Sequence, residues 1–132
     1  MNFKMTYATM FNPPAEMHTR FDAALAEVNG SLGDKHALYI NGEDRTAASH
    51  DTRRTPIDQR RLLGHFPLAI VEDTNDAMAA AQAAFPNWRA TSMAQRARLL
   101  KRVATLIEER VYHIAAAMSL EVGKNRMEAL GE

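Results

Sequence analysis

Cysteine is missing from all 132 residues, and that absence alone excludes three kinds of chemistry. Disulfides, thiolate metal sites and a cysteine nucleophile each require a sulfur that this chain does not carry. A charge excess is missing as well. Sixteen basic residues balance sixteen acidic ones, so no overall field draws nucleic acid, membrane or acidic ligands, and any such binding must come from a local patch. The five histidines, His18, His36, His50, His65 and His113, are scattered with no pair at ligand spacing, so a histidine-only metal site is not expected. No apolar run approaches the roughly 20 residues that a membrane span needs. The opening Met1-Asn2-Phe3-Lys4-Met5-Thr6 lacks the three regions of a signal peptide. A cytoplasmic protein is the default expectation.

What is present fits one modest domain, with 46% hydrophobic and 24% charged residues. Residues 1–12 read as an extended or mobile arm. Asn12 caps a helix that begins near Pro13-Pro14, carries Phe21, Ala24, Leu25 and Val28 on one narrow face, and ends at Gly30 or Gly33. That face predicts a helix lying on the surface of something larger. Ala37-Leu38-Tyr39-Ile40 reads as a strand, and Asn41-Gly42 as a tight turn into a second strand begun by Glu43. Residues 44–60 are polar, interrupted by Pro56-Ile57, read as a turn followed by one anchoring side chain. Residues 61–70 predict another strand, broken or bulged near Gly64 and stopped near Pro67.

The capping cluster Glu72-Asp73-Thr74-Asn75-Asp76 precedes an alanine-rich helix that should stop at Pro86. Ser92 and Gln95 form a capping box. After it, apolar residues fall at Met93, Ala97, Leu100, Ala104, Ile107, Val111, Ile114 and Met118. Those gaps alternate four and three, so they draw one apolar seam along a helix. A break is expected near Tyr112-His113 and a stop at Gly123, and Met127-Glu128-Ala129-Leu130 begins a further segment, which reads as interrupted at Glu132. The whole is taken as a single segment: arm and helix over 1–35, strands over 36–71, a helix pair over 72–123, and the start of the next helix over 124–132.

No motif completes a catalytic site. The basic run Arg96, Arg98, Lys101 and Arg102 is followed by Glu108 and Glu109 with no interleaved aromatics, so it reads as a solvated helix face rather than a nucleic-acid footprint. Trp88 reads as cover for the end of a helix pair. Gly123-Lys124 lacks both the upstream glycine and the following hydroxyl residue of a phosphate loop.

In order, however, the landmarks resemble a known family. Leu38-Tyr39-Ile40-Asn41-Gly42-Glu43 looks like the opening strand and turn of the aldehyde dehydrogenases. Glu72-Asp73 with the alanine run, Phe85-Pro86-Asn87-Trp88, and Arg96-Ala97-Arg98-Leu99-Leu100 are similar to that family's first helix pair. Ile107-Glu108-Glu109-Arg110 and Glu121-Val122-Gly123-Lys124-Asn125 extend the match. The helix before Tyr39, with Glu121–Asn125 and Glu128-Ala129, is most like the branch that oxidises glutamate semialdehyde. A departure is Thr55 before Pro56, where the family more often has asparagine.

The resemblance implies an α/β fold, of which this chain is the N-terminal part: mostly helical with a few strands, lacking the Rossmann core and the catalytic domain. It implies NAD as cofactor of the full-length parent, and none for this chain alone. Family members form a thiohemiacetal on a cysteine, hold the oxyanion with an asparagine and a backbone amide, pass hydride to nicotinamide, and release the acid with water activated by a glutamate. None of those residues can be placed here, so no catalytic, cofactor-binding or metal-ligating residue is expected in this chain. The expected partner is the remainder of the parent enzyme or a homologous subunit, with self-association. The alternative is a self-standing helical module that keeps the pattern without the chemistry and complements or modulates a separate chain.

Overall fold

The computed structural model describes residues 11–132, and most of the arm expected over residues 1–12 lies outside them. The chain divides into two units. One comprises residues through Gly33 with Arg54–Leu63 and Ile107–Glu132, and the other Asp34–Arg53 with Gly64–Leu106.

In the first unit, α1 spans Ala15–Gly30, and its cap position is Pro14, not Asn12. Proline fits there because its fixed φ suits a helix entry and its missing N–H costs nothing in the first turn. Met17, Phe21 and Ala24 of α1 are buried. The narrow face packs on α4, Val111–Val122, while most of the rest of α1 is exposed. Phe21 and Ala24 meet Ala115 and Ala116 in the core, with Leu25, Val28 and Tyr112 packed around them. The small residues of α4 make this close approach possible, since one large aromatic fills the space that Ala115 and Ala116 leave.

A short α5, Arg126–Gly131, docks on α4. Asn125 caps it through hydrogen bonds from the Met127 and Glu128 amides, while Glu128 accepts from the Asn125 amide. This is a capping box that the sequence reading missed. Arg126 then ties α5 to α1, with its guanidinium 4.9 Å from the Phe21 ring centroid and 3.0 Å from Asp22 Oδ1.

Two further expectations need correcting in this unit. Ile57 anchors nothing and is 64% exposed. The anchor is Thr55, 1% exposed, whose hydroxyl donates to the carbonyl of Leu120 on α4. Replacing Thr55 by the equally shaped valine would leave that carbonyl buried and unpaired. Thr55→Val should therefore cost about 1–3 kcal/mol in urea unfolding, whereas Thr55→Ser, which keeps the donor, should cost less. The second correction concerns the helix break. It falls at Arg110 (φ −111°, ψ 11°) rather than at Tyr112-His113. That one non-helical residue shifts the register, so α4 buries Ala115, Ala116, Ser119 and Leu120 instead of continuing the seam. Gly123 ends α4 in the left-handed conformation (φ 77°), as its sequence position predicted.

In the second unit, β1 (Leu38–Ile40) and β2 (Glu43–Arg45) pair antiparallel, with Ile40 opposite Glu43. Asn41 (φ 56°) and Gly42 (φ 83°) make the expected positive-φ turn. Ser49–Arg54 forms β3, a strand not expected from its polar sequence, and it pairs with β4, Leu62–Leu68. Such a strand shows no apolar alternation because neither face enters a core.

β4 runs through Gly64 without the expected break and stops at Leu68, next to Pro67 as the sequence predicts. A Cβ on Gly64 would lie 3.0 Å from the His36 ring and 3.1 Å from the Asp34 carbonyl. Glycine is there for close backbone approach, marked by the parallel bridge between Lys35 and His65. The helix α2, Val71–Ala90, begins before its acidic cluster, with Asp73 accepting from the Ile70 amide at 3.0 Å. It runs through Pro86 rather than stopping there. Proline removes one donor from the ladder, but the next turn holds, since the Thr91 amide and hydroxyl both return to the Asn87 carbonyl. The Ser92–Gln95 capping box forms as expected and opens α3, Met93–Glu109.

Candidate functional site

Among the described residues no three His, Asp or Glu side chains converge as metal ligands. The fold does bring His36, His50 and His65 onto neighbouring backbone, which their spacing did not suggest. Each is occupied locally: His36 stacks on Phe66 with centroids 4.7 Å apart, His50 Nε2 lies 3.3 Å from the His36 carbonyl, and His65 Nδ1 lies 3.1 Å from Thr52 Oγ1. His113 pairs with Glu27 at 2.5 Å, and His18 accepts from Arg126 at 3.0 Å. These are structural histidines.

The charged groups are likewise spent on holding loops. Arg54 donates to the carbonyls of Gln59 and Arg60, closing the turn that Thr55 anchors. The side-chain and backbone hydrogen bonds from Arg60 hold the Asp58 carboxyl below its ordinary range. A depressed carboxylate contributes above its unfolded pKa and is lost as pH falls through the lower folded value, so this clasp is intact at neutral pH and opens in acid. Within the basic run, Arg96 sits 6.0 Å over the Trp88 ring. Trp88 thus covers the α2–α3 turn through a cation–π contact.

Among the described residues two surfaces are open. One is an open groove of about 320 Å³ lined by Tyr39, Ile40 and Asn41 on one side and Ala77, Ala80, Ala81 and Ala84 of α2 on the other. The second is the seam. Nothing on α3 is buried, and Met93, Leu100 and Ile107 are 79%, 66% and 52% exposed. Leu99 and Val103 widen the same apolar face. A 17-residue helix so sharply divided between apolar and charged faces is built to be covered.

The sequence profile of the aldehyde dehydrogenase family matches residues 45–132. This chain belongs to the aldehyde dehydrogenase family. It is 35% identical over 112 residues to a 1-pyrroline-5-carboxylate dehydrogenase of Staphylococcus saprophyticus, a match that takes in 85% of this chain and 22% of that enzyme. It is 40% identical over 97 residues to an N-succinylglutamate 5-semialdehyde dehydrogenase of Serratia proteamaculans, covering 73% of this chain and 20% of that one. The structure superposes with a TM-score of 0.88 on the 1-pyrroline-5-carboxylate dehydrogenase from Thermus crystallised with bound NAD, at 27% identity, over 98% of this chain and 24% of that one. The chain spans about a fifth of the length of the curated relatives it matches.

The fold is therefore part of the aldehyde dehydrogenase fold, mostly helical with a few short strands and without a closed Rossmann core. Among the described residues both sheets are two-stranded, and the positive-φ glycines Gly42 and Gly123 sit at a hairpin and at the end of α4. None of the described helices is long and apolar enough to cross a membrane.

Proposed function

We propose that this chain supplies the N-terminal portion of a cytoplasmic, NAD-dependent dehydrogenase that oxidises L-glutamate γ-semialdehyde, the open form of 1-pyrroline-5-carboxylate, to glutamate in proline breakdown. The observation that carries this is the superposition on the Thermus enzyme along nearly the whole chain, joined to relatives named for that aldehyde and for its N-succinyl analogue. Both names describe a glutamate skeleton ending in an aldehyde. That shared skeleton is the substrate class we assign to the parent.

In this role the chain's residues bind and brace without touching the reacting atoms. The exposed face of α3 is where the remainder of the parent, or a homologous subunit, would pack. Left uncovered, that face drives association of copies. The intact chain should accordingly bind a hydrophobic dye and elute larger than a monomer, and Leu100→Lys, which places a charge at the centre of the face, should cut both signals. A monomeric, dye-silent protein would contradict the assignment of this face.

The functional reading itself is tested at the gene. The DNA beyond the Glu132 codon is expected to continue in frame into a βαβ nucleotide-binding segment and a cysteine. A stop with no remnant of such sequence behind it would overturn the proposal.

A further inference from the structure

The sequence holds two Asn-Gly pairs, Asn29-Gly30 and Asn41-Gly42, in nearly matched local sequence and in opposite structural settings. Each asparagine follows a β-branched residue, Val28 and Ile40, so the chain chemistry next to the two is alike. Their surroundings are not. Asn29 lies in the last turn of α1, its Oδ1 is buried, and the Ser31 amide and hydroxyl both close on the Val28 carbonyl just beyond it. Asn41 and Gly42 stand exposed at the β1–β2 turn. A Cβ would meet nothing within 4 Å at either Gly30 or Gly42, so the contrast lies in the helix end and the buried Asn29 Oδ1 against the exposed turn.

We propose that Asn41 is a site of spontaneous deamidation, selected by the hairpin over Asn29. The Gly42 amide nitrogen, after losing its proton to solvent base, adds to the Asn41 side-chain carbonyl carbon. The new C–N bond closes a five-membered imide, and the carboxamide nitrogen leaves as ammonia. Water then opens the imide at either carbonyl, giving an aspartate or an isoaspartate at position 41. No oxidant or cofactor is required.

Glycine after the asparagine matters because it has no side chain to block the attacking nitrogen. Ring closure requires Asn41 to leave its left-handed conformation (φ 56°). The cost is the opening of one hairpin whose strands are three residues each, a low-energy local event. At Asn29 the same reaction must first unwind the end of α1 and draw out a buried carboxamide. The product carries a new negative charge beside Glu43 and Asp44, at the rim of the groove between β1 and α2. In its isoaspartate form it also lengthens the backbone inside the turn that sets the register of Ile40 opposite Glu43.

The test is peptide mass mapping of the intact 132-residue chain held at mildly alkaline pH, natively and in parallel in concentrated urea. In the native sample Asn41 should convert roughly tenfold faster than Asn29 or more, because only the hairpin opens locally. In urea the two rates should converge. Equal rates in the native sample, faster loss at Asn29, or an Asn41 that stays intact natively while both convert in urea would overturn the proposal. So would an Asn29 that remains slow in urea, since sequence rather than fold would then set the difference.

Discussion

Purified residues 1–132 supplied with glutamate semialdehyde and NAD will form no NADH. The oxidation requires a nucleophile that adds to the aldehyde, so that the resulting tetrahedral carbon can lose hydride, and a thiolate does this at neutral pH. The chain has no cysteine. Its serines do not replace one. Ser92 is tied to Gln95 in the cap of α3, Ser31 closes α1, Ser119 is buried on α4, and Ser49 opens β3 beside a His50 whose Nε2 lies against the His36 carbonyl. An alcohol also needs an adjacent base to act as a nucleophile, and the histidines that might serve are held in structural contacts on both units. Because residues that act as a catalytic unit fail together, the expectation is absence of turnover rather than a reduced rate. NADH formation that scales with protein concentration would refute it.

Phe21→Ala should cost about 3–5 kcal/mol, the range for deleting a buried aromatic and leaving its cavity. Phe21 is buried on α1 against Ala24, Ala115, Ala116 and Ala129. Those neighbours are alanines, whose side chains are too short to move into the space. The Arg126 guanidinium would also lose the ring beneath it, loosening α5. By contrast Leu100→Ala, on the exposed face of α3, should change stability by only about 0.5 kcal/mol or less when both variants are unfolded at protein concentrations low enough to keep copies apart. Urea unfolding of the two variants side by side reads the difference. Comparable losses would mean that α3 is buried in solution and that the core lies elsewhere.

Those two substitutions mark the boundary between what local sequence reveals and what it conceals. The Asn41-Gly42 turn, the Ser92–Gln95 cap and the Gly123 helix stop were legible because each is decided by residues a few positions apart. The order of the family landmarks was legible too, and it placed the chain among the aldehyde dehydrogenases before any contact was known. Misread features depended on distant partners. Thr55 looks like one more polar loop residue until Leu120 is brought to its hydroxyl. The face of α1 looks narrow until the alanines of α4 fill it, and His113 meets Glu27 across 86 positions. Pro86 misled in the other direction, since a single missing donor is tolerated when the following turn is held by its own bonds.

Sequence by itself determined the family, the turn and cap chemistry, and the lack of a thiol nucleophile, because these rest on residue identity and short-range geometry. Tertiary structure alone decided which apolar face is buried. Periodicity draws a seam from Met93 to Met118, but periodicity says only that a face is apolar. Past the non-helical Arg110, α4 buries Ala115, Ala116 and Leu120, while Met93, Leu100 and Ile107 of α3 stand in solvent, because burial is a property of what packs against a face and not of the face itself.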